Sequence, residues 1–130
     1  MRFMGKLKLQ PACKGKYFYG TFPESSLMAL AGYISYFAAI VREGEGITAV
    51  FSEEAAGPLR LYSQKDFQGP FALIRLETAT GLLATGITAA ASSALAKEKI
   101  PANFIAGFYH DCVLVPEVSK EKALSILANL

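Results

Sequence analysis

The chain has 130 residues, 52% of them hydrophobic and 18% charged, with a formal net charge of +2, which is material for one sizeable core and too apolar for intrinsic disorder. Its bases are dispersed apart from Lys6, Lys8, Lys14 and Lys16, so a broad nucleic-acid footprint is not expected. Cys13 and Cys112 belong to no CxxC pair or zinc-like Cys/His cluster, and the start MRFMGKLKLQ lacks the apolar stretch and cleavage site of a secretory signal, so free thiols in the cytoplasm are expected.

Pro11, Gly15, Gly20, Pro23, Gly32, Gly44, Gly46, Gly57 and Pro58 cut the first half into short apolar runs, the punctuation of an antiparallel β lobe. Strands are predicted at residues 6–9, 16–22, 33–42 and 47–51, with a short helical turn at 26–31. The stretch LMALAGYISYFAAIV, from Leu27 to Val41, carries no charge. It falls short of the roughly 20 residues that a spanning helix needs, so it reads as a buried core element rather than a membrane segment. The GEG at Gly44 to Gly46 suits a hairpin. Ser52 followed by Glu53 and Glu54 reads as a cap and acidic first turn of a short helix that stops at Gly57-Pro58.

Residues 60–69 (RLYSQKDFQG) are more polar and form the predicted connector, so 1–69 is a first lobe with its connector and 70–130 a second module. From Phe71 to Glu77, Ala72, Ile74 and Leu76 alternate with Phe71, Leu73, Arg75 and Glu77, the period of a strand. Phe71 and Leu73 leave the second face partly apolar, so this strand needs cover on both sides, from the first lobe or another subunit. Ile87, Ala90, Ala91, Ala94 and Leu95 then fall at helical spacing before Pro101. A stripe made mostly of alanine lets such a helix lie close against its sheet. Strands follow at 103–108 and 112–115 with Tyr109, His110 and Asp111 at their connection. Ser119 caps a last helix in which Ala123, Ile126, Leu127 and Leu130 share one face. The order strand, helix, strand, strand, helix is a ferredoxin-like α+β pattern lacking its last strand, which is either absent or supplied by the first lobe.

No GxxxxGK[ST], GxGxxG or HExxH pattern is present, and nothing calls for a cofactor or a metal. His110 beside Asp111 is a familiar acid–base pairing, but no nucleophile is fixed near it. Were one strand to run through residues 110–112, His110 and Cys112 would share a side and Asp111 would not. A structural or pH-sensitive role for His110 is the expectation, and not catalysis. The turn holding Thr78, Thr80, Gly81, Leu82, Leu83 and Gly86, followed by Ile87, runs from a strand into a helix. Unpaired amides and the helix dipole favour an anion there. It reads either as a carboxylate site or as an ordinary capped turn.

The segment LIRLETATGLLATGITAAASSALAKEKIPANFIAGFYHDCVLVP resembles the carboxy-terminal module of small prokaryotic two-part ACT-domain proteins, most strongly in NFIAGFYHD and the apolar strand ending in Val115-Pro116. KGKYFYGTFPE and EGITAVFSEEAA resemble the amino-terminal half of the same family. Cys112 departs from the polar residue of that family's pattern. The resemblance implies an amino-acid-sensing regulatory module related to those of aspartate kinases, with a β-rich ACT-like first lobe and no catalytic role. It places Asn103, Ile105, Ala106 and Gly107 on the wall facing the turn, with His110 and Asp111 accessory. The expected ligand is a small amino acid or related carboxylate. Output is expected through self-association or a regulated protein partner, and neither nucleic acid nor membrane is expected as a partner. The rival reading is an interaction module that keeps the fold without a ligand.

Overall fold

The computed structural model describes residues 8–77 and 85–130. Six strands run through them, β1 (Pro11–Phe22), β2 (Phe37–Arg42), β3 (Ile47–Ser52), β4 (Gln68–Leu76), β5 (Asn103–Ala106) and β6 (Asp111–Pro116). Interspersed are α1 (Leu27–Ala31), α2 (Ala56–Leu59), α3 (Ile87–Lys97) and α4 (Lys120–Ala128). The fold is α+β, as the sequence pattern requires. The chain divides into one unit of Lys16–Pro70 and another of Phe71–Leu130 joined by the described residues up to Gly15.

In the first unit β3 lies between β2 and β1. Both pairings are antiparallel, with Phe18 opposite Phe51 and Phe22 opposite Ile47 on one side of β3, and Ile40 opposite Ala49 on the other. Ile47, Ala49 and Phe51 turn inward with Phe22, Leu30, Ala55 and Leu59. Phe51 is the hub of this core. Its ring lies 4.8 Å from that of Phe67, 6.3 Å from those of Phe18 and Phe22 and 6.5 Å from that of Phe37. Gly20 is required beneath this cluster, because a Cβ there would stand 2.8 Å from the Phe67 ring.

Three expectations for this unit need correction. The strand predicted from residue 33 begins only at Phe37, since Ile34–Tyr36 forms a 3-10 turn held by Tyr33 N–H to Leu30 C=O and Tyr36 N–H to Tyr33 C=O; local turn bonding overrides the β propensity of this aromatic stretch. The uncharged run is not a core element: Leu30 is fully buried, whereas Leu27, Met28, Ile34, Ile40 and Val41 are exposed. No helix among the described residues is long and apolar enough to cross a membrane. The short helix also does not stop at Gly57-Pro58 but continues to Leu59. Pro58 falls within the first turn of α2, where a helix has no use for the missing N–H, and the fully buried Leu59 anchors the end.

In the second unit the strand order is β1, β4, β6, β5. β6 pairs antiparallel with β4, from Phe71 opposite Pro116 to Leu76 opposite Asp111, and with β5, from Asn103 opposite Leu114 to Ala106 opposite Asp111. Ala72, Ile74, Leu76, Val113 and Val115 face α3 and α4 through Ala91, Leu95, Ala123 and Leu127, all fully or almost fully buried. Ala91 lets α3 approach the sheet without a bulky spacer. The closing strand comes from the start of the chain: β1 lies beside β4, the Gln10 carbonyl accepts from the Glu77 N–H at 3.1 Å, and Leu9 joins the core. Leu73 is 5% exposed, so this side chain of the second face is buried within the chain itself, while Phe71 and Arg75 beside it are half-buried. Ser119 makes no side-chain cap to α4. A 3-10 turn over Glu117–Ser119 leads into that helix instead.

Candidate functional site

Gly86 is the residue on which the strand–helix turn ends. Its φ of 85° is left-handed, a conformation that costs an L side chain free energy, and it precedes α3 with no side-chain cap. The first intrahelical bond runs from Ala90 N–H to the Gly86 carbonyl at 3.0 Å. Helix geometry therefore leaves the preceding amides of the first turn without intrahelical acceptors, at the positive end of the helix dipole. Ile87 packs on the core of this unit. Thr78, Thr80, Gly81, Leu82 and Leu83 lie outside the described residues.

Strand register decides which predicted wall residues are level with the end of β4. Leu76, Asp111 and Ala106 are level across β4, β6 and β5, so Ala106 and Gly107 stand at the end of the sheet where β4 leads toward the turn. Asn103 is level with Leu114 and Leu73, three residues away, or about 10 Å at the usual rise of a strand. Ile105 is level with Cys112 and Arg75. Gly107 has a local structural reason, since its N–H donates to the His110 carbonyl at 3.0 Å and a Cβ would come within 2.7 Å of that oxygen.

His110 precedes β6, which begins at Asp111, so the strand does not run through residues 110–112 and its alternation does not set His110 beside Cys112. The His110 Nδ1 atom is buried and has no hydrogen-bond partner among the described residues. Cys112 is half-buried, and burial pushes its thiol above the ordinary value against the pull of Arg75 and Lys14. That keeps the sulfur protonated at neutral pH, the reverse of an activated nucleophile. Among the described residues there is no group of three or more His, Cys, Asp or Glu side chains able to hold a metal ion.

Sequence reasoning passed over a charged cluster at the same end of the sheet. Arg75 clasps Glu77 with Nε to Oε1 at 2.7 Å and a terminal nitrogen to Oε2 at 3.2 Å, and Lys14 Nζ stands 3.4 Å from Glu77 Oε1. The hydrogen bond from Arg75, with the attraction of both cations, holds the Glu77 carboxyl at about 2. The i, i+2 spacing of Arg75 and Glu77 was visible as a shared strand face, but Lys14 enters only through the long-range placement of β1. A separate cavity of about 330 Å³ in the first unit is lined by Arg60, Ser63, Gln64, Lys65, Asp66 and Phe67, with the Arg60 guanidinium 5.2 Å above the Phe67 ring.

Residues 67–129 match the sequence profile of the ACT domain. A protein of unknown function from Vibrio cholerae, described as a possible transport protein, is 36% identical, with 92% of this chain and 87% of that chain covered and a TM-score of 0.76. The regulatory subunit of aspartate kinase from Thermus thermophilus is 12% identical over 92% of this chain and 95% of that subunit, with a TM-score of 0.72. Clostridium acetobutylicum aspartate kinase, an allosteric enzyme, is 13% identical with a TM-score of 0.73, covering 98% of this chain and 36% of the kinase. At such identities the two kinases share the fold. No curated protein matches the chain.

Proposed function

Because this chain belongs to the ACT-domain family, we propose that it is a non-catalytic regulatory protein of the cytoplasm that reversibly binds a small amino acid or related carboxylate where β4 gives way to α3. The observation that carries this reading is the opening of α3 on a left-handed glycine with no side-chain cap. First-turn amides offered in that way suit a carboxylate, and the absence of a side chain at Gly86 lets a ligand approach the backbone. The contacts this reading assigns to the ligand are Thr78, Thr80, Gly81, Leu82 and Leu83 of the turn, with Ala106 and Gly107 at the level where β4 ends. Asn103 and Ile105 stand farther along β5, and His110 and Asp111 are accessory. The raised Cys112 thiol supports the non-catalytic reading. The fold shared with the Thermus regulatory subunit supports regulation as the role, with output through self-association or a partner protein.

Thermal unfolding of the purified protein with each of the twenty amino acids at millimolar concentration tests it, because a ligand that binds only the folded state raises stability by mass action. A selective rise in Tm that is lost in Gly86→Asn is the expected result, since Asn tolerates a left-handed backbone while placing a side chain at the mouth of the turn. An interaction module without a ligand is the second reading. The exposed Met28, Ile34 and Leu61 side chains favour it, and no shift with any amino acid would leave it standing in place of the first.

A further inference from the structure

We propose that the first unit carries a small-molecule site of its own, in which the cleft formed by the connector between α2 and β4 takes a small sugar phosphate. This site lies in a different unit from the strand–helix turn, takes a different class of ligand and does not depend on the amino-acid reading. The cleft has a volume of about 330 Å³ and is lined by Arg60, Ser63, Gln64, Lys65, Asp66 and Phe67. That lies at the lower end of the roughly 300–1,000 Å³ found for ligand pockets, a size for a small metabolite rather than a nucleotide. Ligand pockets are mostly apolar, whereas five of these six side chains are polar or charged, so the occupant they suit is hydrophilic over most of its surface.

The chain itself holds this lining in place. The Gln64 N–H donates to the Thr21 carbonyl at 3.0 Å, which ties the connector to the end of β1. The Ser63 N–H donates to the Arg60 carbonyl at 3.3 Å. The Ser63 hydroxyl accepts from the Lys65 N–H at 3.3 Å and donates to the Lys65 carbonyl, so residues 60–65 form a closed turn. Gly46 makes room for the Gln64 carboxamide, since a Cβ there would stand 3.0 Å from Gln64 Oε1. Phe67 is fixed from the core side, its ring 4.8 Å from that of Phe51 and 6.0 Å from that of Phe22. The Arg60 guanidinium lies 5.2 Å from the centre of the Phe67 ring, and a guanidinium stacked on an aromatic face keeps its in-plane N–H donors for a ligand.

The charges of the cleft are not spent within the protein: no ion pair among the described residues engages Arg60, Lys65 or Asp66. Arg60 offers a planar fork of donors and Lys65 a compact ammonium with three more. Together they match a phosphate monoester, which carries a charge of roughly −1.5 to −2 at pH 7 and three acceptor oxygens. The Asp66 carboxylate only accepts hydrogen bonds and repels a phosphate, so it suits the other end of the ligand, where hydroxyl groups donate to it. The Gln64 carboxamide serves hydroxyls as donor and acceptor alike. Phe67 offers the one apolar surface, a place for the carbon skeleton of a sugar. Two cations beside one anion, an amide and an aromatic ring thus fit a phosphate joined to a polyol. A bisphosphate fits less well, because its second anionic group would meet Asp66.

Isothermal titration of the full chain with glycerol 3-phosphate, ribose 5-phosphate and glucose 6-phosphate, at constant ionic strength because salt screens exposed charges, tests the proposal. Inorganic phosphate and free glucose are the comparison probes, each lacking one half of the ligand. At least one of the three esters is expected to bind at millimolar concentration or below, about tenfold or more tightly than either comparison probe. Arg60→Gln and Lys65→Gln are each expected to weaken that ester about tenfold or more, as loss of a charged hydrogen bond does. The advantage of the ester over inorganic phosphate is expected to shrink in Asp66→Asn. All three substituted residues are exposed, and circular dichroism checks that the variants are folded. Failure of all three esters to bind at millimolar concentration overturns the proposal, as does binding that survives both cation substitutions. Inorganic phosphate bound as tightly as the esters overturns it too, because the cleft is then an anion patch only.

Discussion

Glu77 draws its two cations from different places in the chain, Arg75 two residues before it and Lys14 from β1. Its carboxyl is held at about 2, below the ordinary carboxylate value, so the ionised form favours the folded state. That contribution is complete above the ordinary range and disappears as pH falls from about 4.5 toward 2. Urea unfolding of wild type and Glu77→Gln is therefore expected to show the wild type more stable at pH 7, with the difference shrinking through pH 4 and 3. Two glycines make opposite predictions by the same measurement at neutral pH. Gly107→Ala places a Cβ 2.7 Å from the His110 carbonyl oxygen and is expected to cost about 1–3 kcal/mol, as overpacking does. Gly57 lies in α2, and a Cβ added there would meet nothing within 4 Å, so Gly57→Ala is expected to stabilise by up to about 1 kcal/mol through helix propensity.

Among the elements, β1 takes part in both units: residues 17–22 pair with β3 in the first, while the described residues up to Gly15 belong to the second. Leu9, just ahead of this strand, is 1% exposed in the core that α3 and α4 cover. Leu9→Ala is expected to lower stability by about 2–5 kcal/mol, the cost of a cavity in a packed core. Phe51 holds the corresponding place in the first unit, ringed by Phe18, Phe22, Phe37 and Phe67. Phe51→Ala is expected to cost about 3–5 kcal/mol by the same measurement. The alternation of β4 and the alanine stripe of α3 were legible because each repeats at a spacing set by the element's own geometry. The fate of residues 27–41 was not. Apolar side chains favour burial wherever they are, but turn bonds at Tyr33 and Tyr36 and the position of β2 at the outside of its unit leave most of this run with nothing to bury it.

For the whole molecule, the regulatory proposal ties ligand binding to a change in assembly or partner affinity, since two states can be shifted only by a ligand that binds them unequally. Sedimentation velocity with and without the amino acid identified by the thermal screen is expected to show a change in the distribution of species if self-association is the output. An unchanged distribution moves the output to a partner protein. The expectation for the second face of β4 is cover from the first lobe or another subunit, and Leu73 on that face is already buried within one chain.

The sequence by itself determined the α+β class, the βαββα order of residues 70–130, the absence of a long membrane-spanning run and the strand–helix turn as a candidate site. These are local properties, fixed by apolar periodicity and by where glycine and proline stand. Only the tertiary structure decided that β1 lies beside β4, that Lys14 meets Glu77 and that Glu24 meets Arg42. It also decided that Ala106 rather than Asn103 is level with the end of β4. Each of these depends on strand pairing and register between segments far apart in the chain. Such pairing is chosen by the burial and hydrogen bonding of the assembled fold, and a one-dimensional pattern does not encode it position by position.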